Sequence, residues 1–265
     1  MSEHTEHRVV FSLRHDATLK DRPADAVAAI DLLERGNQTY ASIGEPGTYE
    51  FTISDEAYGV ARAAGERLPQ EPLAGVLACA DARSPVEEVF SRFANDLFVT
   101  RVAGNFAGND AVGALHFAVS HLPSVRAIVV LGHADCGAVT AAADSVLSPA
   151  GYLDLMRDGP LRDTVNAIVP SVTMARAGLD HLFGRGIADA ENYREAVIAV
   201  AIVANAALNA MNLDADLDRD VYYGVLDLDS RLVGAIGVGT GLHRAPATMA
   251  EFDDILFAAC REAIG

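Results

Sequence analysis

The sequence predicts an α/β fold with a mostly parallel central β-sheet flanked by helices and an antiparallel edge strand. Four short runs rich in Val, Leu and Ile are typical of strands buried on both faces. They are AGVLAC (74–79), LFVTRVAG (97–104), AIVVLGH (127–133) and VYYGVLDL (221–228). Helical segments separate these runs, and strands that alternate with helices indicate parallel strands joined by crossovers.

Each intervening helix has its own sequence support. An amphipathic pattern begins after Pro23 and ends at Gly36, which predicts a helix over 24–35. Further helices are predicted over 110–122, 136–147, much of 159–183 and 192–212. After Asp227, a turn at Asp229 and Ser230 precedes the apolar run LVGAIG, which predicts a hairpin whose second strand lies antiparallel at the sheet edge.

The remaining segments are less regular, and we interpret the whole chain, 1–265, as a single domain. Residues 1–22 form an N-terminal extension, and 43–69 form a variable segment that mixes Gly, Pro and charge. Within that segment, SDEAYGVARAAGERL predicts one helix with Ser54 as its N-cap. No internal repeat or low-complexity linker divides the sequence.

Composition excludes several classes of function. The 265 residues are 51% hydrophobic, enough for a substantial core without disulfides, and three cysteines suit free thiols or metal ligands in a reducing compartment. A formal charge of −17 disfavours binding to nucleic acid or to anionic membranes. The N-terminus lacks the apolar core of a signal peptide and no long apolar span is evident, so we expect a cytoplasmic protein.

Polar groups follow two of the predicted strands. Cys79 closes the strand AGVLAC, and His133 closes AIVVLGH, with Cys136 three residues later at the start of a helix. The carboxyl ends of parallel strands meet at one edge of a sheet, so these side chains are expected to converge. Two Cys and one His without a fourth protein ligand are typical of a catalytic zinc site. Asp81 and Arg83 are two residues apart, so the guanidinium of Arg83 can bind the carboxylate of Asp81 and hold it ionised.

Other interpretations exist for each residue alone. A single Cys at a strand end is more often a small buried hydrophobe, and an Asp-x-Arg pair is usually a surface ion pair. The combination at one sheet edge favours zinc. Asp81 could then accept the hydrogen bond of a zinc-bound hydroxide and fix which lone pair of that oxygen faces a substrate, or it could approach the metal itself.

These motifs resemble those of the β-class carbonic anhydrases. CADARSPVEEVF resembles the family's first zinc segment, NDLFVTRVAGNFAG its second strand and glycine-asparagine turn, and VLGHADCGAV its second zinc segment. ERGNQTYA and VYYGVLDLDSRLVGAIG resemble the early helix end and the late hairpin. The resemblance covers most of 25–240 in separate blocks.

The resemblance implies the β-carbonic anhydrase fold and a specific chemistry. Cys79, His133 and Cys136 would hold one Zn²⁺ per subunit, and Asp81 with Arg83 would form the catalytic dyad. The implied enzyme is a zinc lyase, a carbonic anhydrase (carbonate dehydratase) that reversibly hydrates CO₂ to bicarbonate and a proton by zinc-hydroxide attack. Two thiolates neutralise the ion formally, so activity should rise toward alkaline pH.

The resemblance also implies a homodimer or a dimer-based oligomer. Gln70 matches a glutamine that contacts substrate from across the dimer interface, and Phe98 and Phe117 match aromatic residues of the substrate pocket. The helix at 24–35 would pack against the neighbouring subunit.

Two departures from the family pattern stand out. Ala82 replaces the usual Ser within the first motif, and the chain has no Trp. The tryptophan-containing bicarbonate site of one subtype therefore cannot be present in its usual form, although Arg101 matches that site's arginine. We expect the open subtype, in which Asp81 pairs with Arg83.

Two alternatives to CO₂ hydration remain. A hydrolase of CS₂ or COS could use the same scaffold, because its selectivity would depend on access to the site. The second alternative is a non-catalytic relative that zinc stabilises and that binds bicarbonate. A purely structural metal site, however, needs no Asp-Arg dyad.

Overall fold

The computed structural model describes residues 7–14, 16, 19–43, 47–58, 65, 67–148, 150, 152–153 and 158–264. The strands are β1 His7–Arg14, β2 Gly47–Ser54, β3 Ala74–Ala78, β4 Leu97–Arg101, β5 Ala127–His133, β6 Asp220–Leu226, β7 Val233–Ala235, β8 Gly239–Thr240 and β9 His243–Arg244. The helices are α1 Ala26–Ser42, α2 Val86–Val89, α3 Asn109–His121, α4 Gly137–Leu147, α5 Gly159–Phe183, α6 Tyr193–Asp216 and α7 Met249–Ile264. Short 3₁₀ turns span Ala103–Asn105 and Arg185–Asp189.

The central sheet confirms the predicted fold class. Its described strands have the order β4-β3-β5-β6-β7-β8, and β9 also pairs with β6. The four predicted strands, β3 to β6, are parallel to one another. The predicted hairpin is present as well, since β7 pairs antiparallel with β6 after a turn in which the Asp227 carboxylate accepts hydrogen bonds from Ser230. Its second strand does not lie at the sheet edge, because the two-residue strand β8 pairs antiparallel with β7 on the other side.

Both faces of the sheet are covered, which explains the continuous apolar runs. Alternate residues of a strand point to opposite faces. Leu77 and Ile128 therefore enter a core shared with α3 to α7, whereas Val76 and Val129 enter a second core shared with α1 and α2. A strand in this position has no solvent-facing side that could carry polar residues.

Helix α1 is longer than predicted because Gly36 does not end it. Asp25 caps the helix, and its side chain accepts a hydrogen bond from the amide of Ala28 at 2.8 Å. A Cβ atom at position 36 would lie 1.8 Å from the carbonyl oxygen of Phe90. The glycine is therefore a close-packing site, and the helix continues through it to Ser42.

The apolar face of α1 contacts the sheet of its own chain. Ala29, Ile30 and Leu33 are buried in the same core as residues of β3 and β5. The family resemblance led us to expect this helix to pack on the neighbouring subunit. In the structure, its buried side chains have their partners within the chain.

A second, two-stranded sheet was not predicted. Strands β1 and β2 pair in parallel through all eight residues, and in this register Phe11 lies opposite Phe51. Both rings pack near Phe93, at centroid distances of 5.9 and 6.4 Å. In β2 apolar residues alternate with polar ones, which is the period-two pattern of a strand. This pattern was missed because 43–69 was interpreted as one variable segment.

Two other predicted elements differ from the structure. The run at 97–104 is strand only to Arg101, because Gly104 and Asn105 adopt φ values of 71° and 43° in a tight turn. After Ser54 the described chain forms a turn at 55–58 rather than an assigned helix, and residues 59–64 and 66 of the predicted helix lie outside the described residues.

Helix α6 is the most apolar long helix among the described residues. Its length and composition would allow it to cross a bilayer, but 72% of its most apolar window is buried inside the protein. Packing against α5 and the sheet accounts for this apolar character.

Candidate metal centre

The two predicted ligand strands are neighbours in the sheet. In the β3–β5 register Ala78 pairs with Leu131, so Cys79 and His133 extend from the carboxyl ends of adjacent parallel strands. Both side chains are buried, at 4% and 0% exposure. The predicted convergence at one edge of the sheet is present.

Cys136 returns to the same edge through a tight turn. Asp135 has a φ of 54°, which reverses the chain after β5 and places Cys136 at the N-cap of α4. Backbone amides of Ala138 and Val139, in the first helical turn, act to lower the pKa of its thiol. Amides at a helix N-terminus stabilise a thiolate, so this position suits a metal-binding cysteine.

The three predicted ligands form a compact group. One ligand atom from each of Cys79, His133 and Cys136 lies within 4.8 Å of the others. The two sulfur atoms are 3.9 Å apart. Sulfurs bound at about 2.3 Å to a tetrahedral zinc ion would be separated by about 3.8 Å, so the group could hold zinc with little movement.

The imidazole of His133 is oriented for metal binding. Its Nδ1 lies 2.8 Å from the carbonyl oxygen of Ala134, and this contact assigns the proton to Nδ1. Nε2 is fully buried and has no hydrogen-bond partner. A buried, unpartnered nitrogen that faces two sulfurs fits a ligand site, because leaving it unpaired would otherwise cost stability.

The two thiols differ electrostatically. The hydrogen bond from Cys136 lowers the pKa of Cys79, and the amides of Asp81 and Gly104 support this shift. The same thiol contact raises the pKa of Cys136, which retains the proton of the pair. Binding of a divalent cation would displace this proton, because metal ligation requires the thiolate.

The predicted dyad lies beside the metal ligands. Arg83 Nε donates to Asp81 Oδ1 at 3.1 Å, and Nη2 donates to Oδ2 at 2.8 Å. Asp81 Oδ2 is 3.8 Å from His133 Nε2. The carboxylate therefore faces the ligand group while it remains bound to the guanidinium. Ala82, the departure within the motif, is exposed to solvent.

Two further residues support the first motif. Arg101 donates from Nε to the carbonyl oxygen of Cys79 at 2.9 Å, and from Nη2 to that of Asp81. The Gly104 amide donates to Cys79 Sγ at 3.3 Å. Our sequence analysis gave neither residue this role, although the apolar strand ending in Arg101 and the glycine that follows were the available signals.

The predicted pocket residues lie elsewhere within the chain. Phe98 pairs with Gly75, four residues before Cys79 and thus about 13 Å along β3. Phe117 on α3 is exposed, and its ring centroid is 6.4 Å from that of Phe98. Gln70 is exposed and precedes β3, at the amino end of the strand. These side chains therefore do not join the group formed by Cys79, His133 and Cys136 within the chain.

Comparisons with known proteins agree with the site. The profile of the family described as "Carbonic anhydrase" matches residues 74–213. The chain is 35% identical to "Carbonic anhydrase 2" of Mycobacterium tuberculosis over 153 residues, 57% of this chain and 66% of that protein, just under two thirds. It is 34% identical to "Carbonic anhydrase" of Mycolicibacterium smegmatis over 163 residues, 60% of this chain and 71% of that protein.

Solved structures are more distant. A tetrameric β-carbonic anhydrase of Sordaria macrospora is 21% identical, with a TM-score of 0.48 over 65% of this chain and 84% of its own. The profile match, however, covers more than half of the sequence and includes both metal motifs. The chain therefore belongs to the β-class carbonic anhydrase family.

Proposed function

We propose that the protein is a zinc enzyme that reversibly hydrates CO₂ to bicarbonate and a proton. The observation that carries this proposal is the group formed by Cys79, His133 and Cys136, with a carboxylate beside it. In the part of the chain that the structure describes, this group has three members. Three protein ligands leave a fourth tetrahedral position for water, as catalytic zinc sites require.

Cys79, His133 and Cys136 would hold the ion. When bound, zinc supplies a Lewis acid that lowers the pKa of water and so makes a nucleophile available near neutral pH. The thiolates and the buried imidazole fix its place at the sheet edge.

Asp81 would orient the attacking water. Its carboxylate is ionised because the hydrogen bonds from Arg83 lower its pKa well below the ordinary range. Oδ2 faces the ligand group and can accept a hydrogen bond from the attacking oxygen, which directs a lone pair toward the carbon of CO₂. Arg83 positions this carboxylate and also donates to the carbonyl oxygen of Asp135, so it links the two metal motifs.

A second copy of the chain would complete the substrate pocket. Gln70 and Phe98 lie toward the amino end of the sheet and Phe117 packs beside Phe98, so none of them reaches the metal ligands of its own subunit. Exposed Phe117 and half-buried Phe98 provide apolar surface that can exclude water around CO₂. We propose a homodimer, or an oligomer built from dimers, in which these residues face the partner's metal site.

Zinc content and CO₂ hydration, measured together across pH, test the proposal. We expect one zinc per chain and a hydration rate that rises toward alkaline pH in a stopped-flow indicator assay. Cys79→Ser should lose both zinc and activity, whereas Cys260→Ala should keep both because Cys260 is a core residue of α7. Zinc-loaded protein without CO₂ hydration would refute the proposal. Faster turnover of CS₂ or COS in the same preparation would identify the alternative substrate.

A further inference from the structure

We propose that Asn205 is a positioning residue for the metal centre and acts through the backbone of Gly104. The inference rests on the proposed function in one respect, namely that Cys79 is a metal ligand. Asn205 lies on α6 and does not contact the ligand group itself. Its side chain instead holds the loop that donates a hydrogen bond to the Cys79 sulfur.

The Gly104 loop is tightly confined against its surroundings. Its amide donates to Cys79 Sγ at 3.3 Å, and its φ of 71° favours glycine. A Cβ atom at this position would lie 2.4 Å from Ile168 Cδ1 and 3.2 Å from the Ala138 side chain. A residue with a side chain therefore does not fit at position 104. The Gly104 backbone has to be held in this confined place for its amide to reach the Cys79 sulfur.

Asn205 supplies that interaction. Its Nδ2 donates to the carbonyl oxygen of Gly104 at 2.8 Å, so one residue is bound both by the ligand sulfur and by the asparagine. Asn205 is 1% exposed. A buried hydrogen bond to a backbone carbonyl is difficult to replace with water, since solvent does not reach it.

Neighbouring side chains fix the orientation of the Asn205 amide. Asn209 Nδ2 donates to Asn205 Oδ1 at 3.2 Å, and Ser171 Oγ lies 3.5 Å from the same oxygen. The donors on this side require Oδ1, which leaves Nδ2 facing Gly104. Asn209 also accepts a hydrogen bond from the amide of Ala107 at 2.9 Å, so the helix holds the loop at a second point.

These hydrogen bonds explain why two polar residues lie on the buried, apolar face of α6. Asn205 and Asn209 are one helical turn apart and face the core among alanines and valines. Packing alone would favour apolar residues at both positions. A hydrogen bond from an N–H group stabilises the lone pairs of a thiolate and fixes the orientation of its sulfur. A residue that positions the N–H donor, as Asn205 positions Gly104, therefore influences how the sulfur binds a metal.

Cobalt substitution and zinc affinity test the inference. In Asn205→Ala the Gly104 amide should move away from Cys79. Loss of its hydrogen bond would raise the energy of the sulfur electrons, so the sulfur-to-cobalt charge-transfer band should shift to longer wavelength. Zinc affinity, measured by competition with a chelator, should fall by roughly 10- to 100-fold.

Asn37→Ala is the matched control. Asn37 is also a buried asparagine, and its Nδ2 donates to the carbonyl oxygens of Val89 and Arg231, neither of which is hydrogen-bonded to Cys79. It should lose similar stability while the cobalt band and the zinc affinity stay as in the wild type. An unchanged band and affinity in Asn205→Ala, or equal changes in Asn37→Ala, would overturn the inference.

A measurement on the wild type covers the case in which Asn205→Ala does not fold. In ¹¹³Cd-substituted protein, NMR should detect scalar coupling between the metal and the Gly104 amide proton through the sulfur, and its absence would overturn the inference. The proposed function fails in a different way. Wild-type protein that shows this coupling and the cobalt band but does not hydrate CO₂ would refute the function and leave the role of Asn205 intact.

Discussion

The guanidinium of Arg83 donates two hydrogen bonds to the carboxylate of Asp81, at 3.1 and 2.8 Å, and the backbone amide of Arg83 donates a third at 2.8 Å. The Asp81 oxygen that faces the metal ligands is thus already held by one donor. The remaining lone-pair direction of Oδ2 is available to the reacting water. This geometry separates the binding of the metal from the orientation of the nucleophile.

Asp81→Asn should separate these two roles experimentally. Its amide can donate a hydrogen bond where the carboxylate accepts one, so the attacking water would lose its orientation. We expect zinc content to stay at the wild-type level and CO₂ hydration to fall by about 10²-fold or more. Metal analysis combined with the stopped-flow assay checks both, and an unchanged rate would remove Asp81 from the mechanism.

Arg83→Lys should lower activity evenly across neutral pH. An ammonium group cannot form the bidentate contact, so Asp81 would be oriented less well. Its depressed pKa would rise toward the ordinary value, yet the carboxylate would still be ionised above about pH 5. The rate profile should therefore keep its shape between pH 6 and pH 9 and decrease in height. A new acidic limb in that range would show that Arg83 acts chiefly by ionising Asp81.

The convergence of Cys79, His133 and Cys136 could be predicted because the signal was local. Cys79 and His133 each follow a continuous apolar run, and parallel strands place such ends together. Cys136 follows within the same short segment. The proposed role of Gln70 and Phe117 requires a second subunit, and no pattern within one chain shows how two subunits would pack.

Other features could not be predicted, for physical reasons. Gly36 ends the apolar pattern as a C-cap would, but the approach of Phe90 from a distant segment determines its role. Asn205 similarly looks like an isolated polar residue in an apolar helix until Gly104 is placed beside it. Both depend on contacts between segments that are far apart in the sequence.

Two inactive variants should restore activity when they are combined. If Gln70 serves the partner's metal site, a heterodimer of Gln70→Ala and Cys79→Ser has one site with both defects and one intact site. Random mixing of equal amounts makes about half of the dimers mixed, so about a quarter of all sites should be active. Co-refolding followed by the CO₂ hydration assay measures this recovery. No recovery, although mixed dimers are present, would place Gln70 in its own subunit's site, and full activity of Gln70→Ala alone would place it outside the pocket.

Gly36→Ala should destabilise the fold. The added methyl group would overlap the Phe90 carbonyl, so α1 would have to shift away from α2 and the sheet. We expect a loss of about 1–3 kcal/mol in the free energy of unfolding. Gly113→Ala, in exposed space on α3, is the control and should gain about 0.5–1 kcal/mol from helix propensity. Denaturant unfolding checks both values, and equal stability of the two variants would contradict the packing assigned to Gly36.

Asp96→Asn should change how stability depends on pH. Asp96 is 5% exposed, and burial raises its pKa to about 6. Because the folded-state pKa lies above the ordinary value, the group stabilises the fold when protonated, and this contribution is lost as pH rises through about 6. Between pH 5 and pH 7.5 the wild type should therefore lose about 1 kcal/mol relative to the variant.

The substitution is close to isosteric and keeps an oxygen for the Phe93 amide, which now donates to Asp96 Oδ2 at 3.0 Å. Unfolding of both proteins at matched zinc loading isolates the Asp96 contribution, because pH effects at the metal ligands are common to both. The two stability curves should diverge with rising pH, the variant becoming relatively more stable. Parallel curves would mean that Lys20 and Arg92, the nearby cations, keep this carboxylate ionised throughout the range.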